Sequence, residues 1–407
     1  MAKLHLTTPD ERAAILKDAQ HQKMTRSAHA YVRGSTVKFY EWLEQSAGKI
    51  PQGPSVWICG DCHTGNLGPI ASARGQVAVQ IRDLDQTVIG NPAHDLIRLG
   101  LSLATAARGS NLPGVTTALM VEHMVEGYEA GLQGETLAPD EETTPREVRR
   151  VLKQAMRRRW RDLARERIED AKPTIPLGER FWPLADTERT ALNGLAAGED
   201  LRKLVTALQH RPDDAPIEVL DGAYWMKGCS SLGRLRYALL VGVGSSKTAN
   251  GAGRQESLLI DIKEATPAAA PSAPDAKMPI DNAQRVVAGA RALSPFLGRR
   301  MLAGKLLRRS VVIRELTPQD LKLEVERLSP AEALRAAHYL ALVVGRAHAR
   351  QMDAPIKAAW LAELTRNRSK TLDAPFWLWS ALVELIQTHE AAYLNHCRRY
   401  ALEKRAA

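Results

Sequence analysis

The segments of this 407-residue sequence that have the pattern of β-strands are concentrated in one part of the chain. Four apolar or alternating segments, separated by turn residues, fall at residues 217–227, 235–243, 257–263 and 310–316. Outside this part helical periodicity dominates, apart from two short strands predicted at residues 55–59 and 76–82. This separation predicts an α+β fold. We expect residues 1–210 and 326–407 to form a mostly helical lobe and residues 211–325 to form a smaller β-rich lobe.

The composition is typical of a globular protein, with 44% hydrophobic and 25% charged residues. Residues 1–20 carry charges throughout and lack the apolar stretch of a secretory signal peptide. No segment approaches the ~20 consecutive apolar residues that a membrane-spanning helix needs. We therefore expect a cytoplasmic protein that does not enter the membrane.

Four cysteines occur, at positions 59, 62, 229 and 397, too few for the disulfide framework of a small secreted domain. Cys59 and Cys62 have the C-x-x-C spacing of zinc and redox motifs. No second cysteine pair follows, so a structural zinc site is disfavoured. The residues after Cys62 have the pattern of a loop, whereas a thioredoxin-like motif would open a helix. We expect the cysteines to be free thiols.

Positive charge is concentrated between residues 146 and 172, where 11 Lys and Arg face 5 Asp and Glu within an overall net charge of +10. An anionic partner is one interpretation of this segment. The other is a helix with solvated arginines, because apolar residues recur there at helical spacing. Trp160 is the one aromatic residue in the segment, which is sparse for a surface that stacks on nucleic-acid bases.

The segment with the most specific spacing is Cys59-Gly-Asp-Cys-His-Thr-Gly-Asn66, directly after a predicted strand. Asp61 precedes Asn66 by the D-x-x-x-x-N spacing of a phosphotransferase catalytic loop. The predicted hairpin that follows ends at Asp83, and Asp85 comes next. Phosphoryl transfer needs a carboxylate beside the nucleophile and oxygen ligands for Mg²⁺. We therefore predict Asp61 as the catalytic carboxylate, with Asn66, Asp83 and Asp85 as magnesium ligands.

Each of these residues also has a purely structural explanation. Asp61 suits a turn, Asn66 a turn or cap, and Asp83 a solvated strand end, so only their joint spacing favours a functional site. His63 is assigned to the catalytic loop, where it either approaches phosphate or maintains the shape of the loop. Asp95, in the first turn of a predicted helix, is expected to be a structural carboxylate that hydrogen-bonds the catalytic loop.

A second group of residues has the pattern of a nucleotide phosphate site. Gly228-Cys-Ser-Ser-Leu-Gly233 lies between two predicted strands, and such a turn can offer backbone N–H groups to phosphates. Lys263 ends the next predicted strand, where a lysine can pair with the α- and β-phosphates. We predict Gly228, Gly233 and Lys263 as nucleotide-binding residues, with Ser230 and Ser231 as additional donors. Hairpins need glycine in any case, so the combination carries more weight than the turn alone.

The order of these elements along the chain is unusual. In ordinary protein kinases, the glycine-rich loop and its lysine come before the catalytic loop and the metal-binding aspartate. Here they come after both. This order predicts a circularly permuted, bilobal, kinase-like fold that binds ATP and Mg²⁺ in the cleft between its lobes. Permutation is tolerated where the original termini lie close together at the surface.

Several motifs together resemble one bacterial family. They are Val32-Arg-Gly-Ser35, Arg82-Asp-Leu-Asp-Gln86, Gly90-Asn-Pro-Ala-His-Asp-Leu-Ile-Arg-Leu99, Gln284-Arg-Val-Val287 and Gly345-Arg-Ala-His-Ala-Arg350. Over nearly its whole length the chain resembles the uncharacterised family called "domain of unknown function 2252". That family is grouped with protein-kinase-like proteins, and its loop is similar to the loop of aminoglycoside and choline kinases. The resemblance implies the roles predicted for Asp61, Asn66 and Asp83, and it implies no particular substrate.

The acidic partner of Lys263 departs from the usual kinase arrangement. The predicted helix at residues 281–293 offers no glutamate, and Asp281 is its only acidic residue. Glu264 and Glu315 are the alternatives that the sequence offers.

Other functions stay open. A metal-dependent phosphoesterase is suggested by Gly60-Asp-x-His63 and Gly90-Asn91, although no upstream Asp-x-His supplies ligands for a first metal. A nucleotide-binding pseudokinase, a basic protein that binds nucleic acid, and a kinase-like enzyme that transfers AMP are further alternatives. For the main prediction the acceptor is a small alcohol, an amine or a protein, and the sequence does not distinguish among them.

Overall fold

The structure is a computed structural model of the chain. It describes residues 9–135, 144–157, 174–207, 211–229, 231–244, 256–317, 329–366, 368 and 372–402. Helices and strands are largely separated along the sequence, which confirms the α+β class. Within these ranges, no helix combines the length and the apolar character that crossing a bilayer requires.

Residues 9–135 are mainly helical. Their helices are α1 (Pro9–Met24), α2 (Ala28–Gly34), α3 (Thr36–Ser46), α4 (Pro92–Gly109) and α5 (Gly114–Gln133). Side-chain caps fix two of the helix starts. Ser27 Oγ accepts a hydrogen bond from the Ala30 N–H at the start of α2, and Asn91 Oδ1 accepts one from the Ala93 N–H at the start of α4, each at 3.0 Å.

Two short antiparallel ladders lie between α3 and α4. Their strands are β1 (Val56–Ile58), β2 (Leu67–Ala71), β3 (Val77–Ile81) and β4 (Val88–Gly90), with β1 paired to β4 and β2 paired to β3. Ile58 lies opposite Val88, and Leu67 lies opposite Ile81. The segments 59–66 and 82–87, which connect the two ladders, therefore run side by side.

The remaining strands form one antiparallel sheet of six with the order β5-β6-β7-β8-β10-β9. They are β5 (Phe181–Trp182), β6 (Ile217–Trp225), β7 (Arg236–Val243), β8 (Glu256–Glu264), β9 (Met301–Leu306) and β10 (Arg309–Leu316). The helices α7 (Asp186–Ala196) and α8 (Glu199–Thr206) pack on this sheet through buried Leu192 and Val205. Packing around the sheet thus begins upstream of residue 211.

Six further helices complete the described fold. They are α6 (Arg146–Arg157), α9 (Asn282–Leu293), α10 (Pro295–Gly298), α11 (Pro330–Ala349), α12 (Ala354–Thr365) and α13 (Phe376–Cys397). One large cluster of buried apolar side chains joins α4, α5, α9 and α11 to the short ladders. Val286 and Val287 of α9 belong to it, so this helix connects the sheet to the helical part of the molecule.

Removal of the N-terminal cap of α9 is expected to cause a modest loss of stability. Asp281 Oδ1 accepts hydrogen bonds from the N–H groups of Ala283 and Gln284, at 2.9 and 3.0 Å. Burial raises the pKa of Asp281, but these bonds and one from Ser310 outweigh it, so the pKa is lowered. We expect Asp281→Ala to lower the free energy of unfolding by about 1 kcal/mol at pH 7.

The pH dependence of this loss distinguishes a charged cap from a neutral one. A lowered folded-state pKa gives stability that is present above about pH 4 and is lost as the pH falls below it. Urea unfolding from pH 2 to pH 7 should therefore show the Asp281→Ala difference disappear in acid. Ser329→Ala removes the neutral hydroxyl cap of α11 and is the matched control, with a loss that does not depend on pH. If the loss in the free energy of unfolding caused by Asp281→Ala persists unchanged at pH 2, the assignment of Asp281 as a charged cap is contradicted.

Candidate active site

The loop that follows β1 makes a close backbone contact with the segment 82–87. Gly60 has φ +75°, in the left-handed region that favours glycine. A Cβ atom placed on Gly60 would lie 2.2 Å from the carbonyl oxygen of Gln86. The hydroxyl of Thr87 also donates to the Ile58 carbonyl oxygen at 2.6 Å. The two segments are therefore held together, and glycine is required at the point of contact.

Asp95 holds the beginning of the same loop. Its side chain is fully buried at 0% exposure, and its two oxygens accept from the N–H groups of Cys59 and Gly60, at 2.7 and 2.9 Å. His348 of α11 lies behind it, with Nε2 at 3.2 Å from Asp95 Oδ2. Tyr128 in turn bonds the other ring nitrogen of His348 at 2.8 Å. The predicted structural role of Asp95 is confirmed, while sequence reasoning did not identify His348 as its partner.

Asp61 is the buried carboxylate at the centre of the loop. It is 8% exposed, and Oδ1 accepts from Arg98 Nε at 2.9 Å while Oδ2 accepts from the Thr36 hydroxyl at 3.1 Å. Burial raises the pKa of Asp61, and the charge of Arg98 opposes that rise. These two partners were not identified from the sequence, because Arg98 lies on an apolar helix and Thr36 begins another helix.

Asn66 connects this loop to the hairpin. Its Nδ2 donates to the Asp61 carbonyl oxygen at 2.8 Å, which leaves the amide oxygen as the atom that can bind a metal. The Arg82 N–H donates to the Asn66 carbonyl oxygen at 2.7 Å, so the hairpin closes directly before Asp83. The structure therefore brings Asp61, Asn66 and Asp83 into one region, as the spacing predicted.

Lys263 reaches the same region from β8. Its Nζ lies 2.5 Å from Asp85 Oδ2 and 3.3 Å from each oxygen of Asp83. The sequence offered Glu264 and Glu315 as acidic partners of Lys263, and both alternatives are wrong. Glu264 pairs with Arg309 at 2.7 Å, and Glu315 pairs with Arg211 at 2.8 Å.

The two aspartates that face Lys263 differ in electrostatics. The surrounding protein raises the pKa of Asp83, but the charges of Lys263 and Arg314 outweigh this and hold the pKa well below its usual range. The Asp83 side chain is nevertheless 48% exposed, so it is the one of the pair that is open to a ligand. Burial and the charge of Asp83 raise the pKa of Asp85. The adjoining cavity has a volume of about 30 Å³.

A buried cluster of charged side chains in the sheet lies next to this region. Asp261, two residues before Lys263 on the same face of β8, accepts from Arg236 at 2.9 and 2.6 Å. Arg314 bonds both Asp261, at 3.2 Å, and the Arg82 carbonyl oxygen, at 3.1 Å. Arg314 thus ties the sheet to the backbone just before Asp83. The sequence did not single out this cluster.

The glycine-rich turn approaches the site through Arg234, the residue that follows it. Gly228 and Gly233 have φ values of +102° and +92°. The Gly228 carbonyl oxygen accepts from Lys23 Nζ at 3.2 Å, and Ser231 is buried. Arg234, just past the turn, places Nη1 3.9 Å from Asp85 Oδ2. Ser230 lies outside the described residues.

His63 is buried beside Asp61 and is 4% exposed, with Nε2 at 3.9 Å from Asp61 Oδ2. Burial lowers its pKa well below the ordinary value, and the charges of Arg33 and Arg98 lower it further. His63 is therefore a neutral imidazole at pH 7.

The phosphoesterase alternative requires Asn91. This residue caps α4 with Oδ1 and donates from Nδ2 to the Pro51 carbonyl oxygen at 2.7 Å.

Residues 12–399 match a family described as "uncharacterized protein conserved in bacteria (DUF2252)". The chain belongs to the DUF2252 family. No curated protein and no solved structure matches it. The matched range includes the loop at residues 59–66, the hairpin, the sheet with Lys263, and α11 with His348, so the whole described site lies within it.

The C-x-x-C pair of this DUF2252 chain lies on either side of Gly60 and Asp61. All four cysteines are free, and the thiols of Cys59 and Cys62 are fully buried. The Cys59 pKa is raised by the hydrogen bond with Cys62 and by burial, and the Cys62 pKa is also raised. Both sulfurs lie close to Asp95, but thiols with raised pKa values are poor metal ligands.

The burial of this pair leads to a labelling prediction. We expect iodoacetamide at pH 7.5 to modify Cys397 rapidly in the native protein and to leave Cys59 and Cys62 unmodified, since only accessible thiolates react. Peptide mass spectrometry after timed quenching measures the extent of modification of each cysteine. The same reaction in 6 M guanidinium is the control, where all four should react alike. Rapid native labelling of Cys59 would contradict the described burial of the loop.

The basic segment is described only in part. In α6, Val148, Val151 and Ala155 are buried while Arg150 and Lys153 point toward solvent. The described part of the segment is thus a helix with its basic side chains in solvent. Residues 158–172 lie outside the described residues, so the anionic partner stays a prediction.

Proposed function

We propose that this DUF2252 chain is an ATP- and Mg²⁺-dependent phosphotransferase with a circularly permuted, bilobal, kinase-like fold. The observation that carries the proposal is the approach of Lys263 to Asp83, 180 positions earlier in the chain, and to Asp85. A lysine beside metal-binding carboxylates, next to a loop with a carboxylate and an asparagine, is the set of groups that holds Mg-ATP in kinases.

The roles of the residues follow from their contacts. Asp61 would accept the hydrogen bond of the acceptor hydroxyl or amine and orient it for attack, and Arg98 favours its ionised form. The Asn66 amide oxygen and the exposed Asp83 carboxylate, with Asp85, would hold the Mg²⁺. The metal would neutralise phosphate charge. Lys263 would then pair with the phosphates, and the turn from Gly228 to Gly233 would cover them.

The charges also explain why nucleotide binding should need the metal. In the described state the Lys263 ammonium occupies the space between two carboxylates, where a divalent cation could be held by the same oxygens. A triphosphate without metal would meet the negative charges of Asp83 and Asp85, which opposes binding.

The test is isothermal titration of ATP with and without Mg²⁺. We expect binding by the wild type only when Mg²⁺ is present, and a weakening of about tenfold or more in Asp83→Asn, which corresponds to the loss of one charged metal ligand. Asp213→Asn, at an exposed carboxylate in the turn before β6, is the matched control and should bind like the wild type.

Two results would overturn the proposal. The first is an absence of ATP binding by the wild type in either condition. The second is binding of equal strength with and without Mg²⁺ that Asp83→Asn does not change. Products formed with candidate alcohols, amines and proteins then distinguish phosphate transfer from AMP transfer, and a protein that binds Mg-ATP without any transfer would be a pseudokinase.

A further inference from the structure

Three cationic side chains lie near the glycine-rich turn, and one of them also lies against the loop at residues 59–66. Lys23 Nζ donates to the Gly228 carbonyl oxygen at 3.2 Å. Burial raises the pKa of the neighbouring Cys229 thiol, while the charges of Arg33, Lys23 and Arg26 act in the opposite direction. All three cations are therefore close to this turn. Lys23 lies at the end of α1, Arg26 lies between α1 and α2, and Arg33 lies within α2.

Arg33 lies directly against the catalytic loop. A Cβ atom placed on Gly65 would lie 3.1 Å from Arg33 Cζ and 3.2 Å from both Nε and Nη2. The plane of the guanidinium thus covers the loop backbone between His63 and Asn66. The Arg33 charge is also the second largest cause of the lowered pKa of His63. The cation is therefore within reach of any group that sits beside Asp61.

Arg33 differs from Arg98 because it has no counterion among the described residues. Arg98 is paired with Asp61 at 2.9 Å. Among the described residues Arg33 forms no ion pair, and its Nε is buried without a hydrogen-bond partner. His63 Nδ1, on a side chain that is 4% exposed, also has no partner in this part of the chain. A half-buried guanidinium without an acceptor is costly, so the arrangement favours an anionic ligand.

We propose that Arg33, together with Lys23 and Arg26, forms an anion-binding subsite that takes a phosphate or carboxylate group beside Asp61. The inference rests on the proposed function, because it assigns the anion to that reaction. The anion is either the terminal phosphate of the nucleotide or a charged group on the acceptor alcohol or amine. The planar fork of Arg33 suits the two oxygens of either group.

The experiment titrates inorganic phosphate, Mg-ADP and Mg-ATP into the wild type, Arg33→Gln and Arg33→Lys. We expect the wild type to bind phosphate and Arg33→Gln to bind it about tenfold or more weakly, as the loss of a charge-assisted hydrogen-bond pair implies. Arg33→Lys keeps the charge without the fork and should be intermediate. Arg202→Gln, at an exposed arginine of α8, is the control and should not differ from the wild type.

The nucleotides distinguish the two sources of the anion. If Arg33→Gln weakens Mg-ATP but not Mg-ADP, the subsite holds the terminal phosphate. If both nucleotides bind unchanged and phosphate still binds to the Mg-ADP-saturated wild type, the subsite holds the acceptor. Equal phosphate binding by the wild type and Arg33→Gln, or no phosphate binding by the wild type, overturns the subsite. Arg33-dependent phosphate binding without any nucleotide binding supports the subsite and overturns the proposed function alone.

A structural role for Arg33 has a different signature. Because the guanidinium has no partner in the described chain, Arg33→Gln should leave the melting temperature unchanged or raise it. A lowered melting temperature together with unchanged phosphate affinity would mean that Arg33 only packs on Gly65, and the proposal would be wrong.

Discussion

Gly60→Ala is expected to lower the free energy of unfolding by more than about 4 kcal/mol, a loss large enough to prevent folding of a marginal protein. Two effects combine at this position. An alanine at φ +75° costs about 1–2 kcal/mol from the left-handed backbone alone. The added Cβ would also lie 2.2 Å from the Gln86 carbonyl oxygen, and a backbone atom can move only if the segment 82–87 moves with it.

Gly75→Ala is a matched control for the backbone effect. Gly75 has φ +78°, nearly the same as Gly60, but nothing lies within 4 Å of a Cβ atom placed there. We expect Gly75→Ala to lower the free energy of unfolding by only about 1–2 kcal/mol, which is the cost of the left-handed conformation. Urea unfolding monitored by circular dichroism measures both losses. The difference between the two losses reports the contact between the loop at residues 59–66 and the segment 82–87.

Equal losses in the two variants would contradict the described contact. If Gly60→Ala does not fold at all, Gly60→Ser offers no relief, because it carries the same Cβ. The comparison then uses the yield of folded protein, which should be normal for Gly75→Ala. In either case, the proposed function predicts that a disturbed segment 82–87 weakens Mg²⁺-dependent nucleotide binding along with stability.

Features that depend on local spacing could be predicted from the sequence. The interval from Asp61 to Asn66 and the hairpin to Asp83 involve neighbours in the chain, and the structure brings these residues together. The role of Asp95 was also predictable, since a carboxylate in the first turn of a helix is positioned to accept from a preceding loop. The strand Met301–Leu306 was missed, because its Gly304 and short length give a weak strand pattern.

Features that depend on distant parts of the chain could not be predicted. His348 lies 253 positions after Asp95, and its sequence context has the apolar character of a buried helix. Arg98 has the same property, because a fully buried arginine on an apolar helix can be recognised only through its partner. For the acidic partner of Lys263 the sequence offered Glu264 and Glu315 as alternatives, whereas the lysine pairs with Asp83 and Asp85 from a distant part of the chain.

The second large effect is expected from Arg98→Met. Arg98 is fully buried at 0% exposure, and it donates from Nε to Asp61 and from Nη2 to the Val32 carbonyl oxygen at 2.6 Å. Methionine leaves the Asp61 carboxylate buried without its counterion, and breaking a buried pair from one side typically costs about 3–5 kcal/mol. We therefore expect Arg98→Met to lower the free energy of unfolding by about this amount at pH 7.

The pH dependence of this variant has a definite sign. Without Arg98, burial raises the pKa of Asp61 further above its value in the unfolded chain. Between the two values the folded state holds more protons than the unfolded state, so stability falls as the pH rises through this window. Arg98→Met should thus be least stable near pH 7 and should recover part of its loss near pH 4.

A second substitution tests whether the uncompensated charge is the cause. Adding Asp61→Asn to Arg98→Met removes the buried charge, and the double variant should be more stable at pH 7 than Arg98→Met alone. Arg12→Met is the matched control, since Arg12 is also buried but pairs with Glu188 at 2.7 Å. Asp61→Asn should not rescue Arg12→Met, because separate ion pairs contribute independently. If Asp61→Asn rescues neither variant, the loss in Arg98→Met comes from packing and from the Val32 carbonyl oxygen, and Asp61 would not depend on Arg98 for its ionised form.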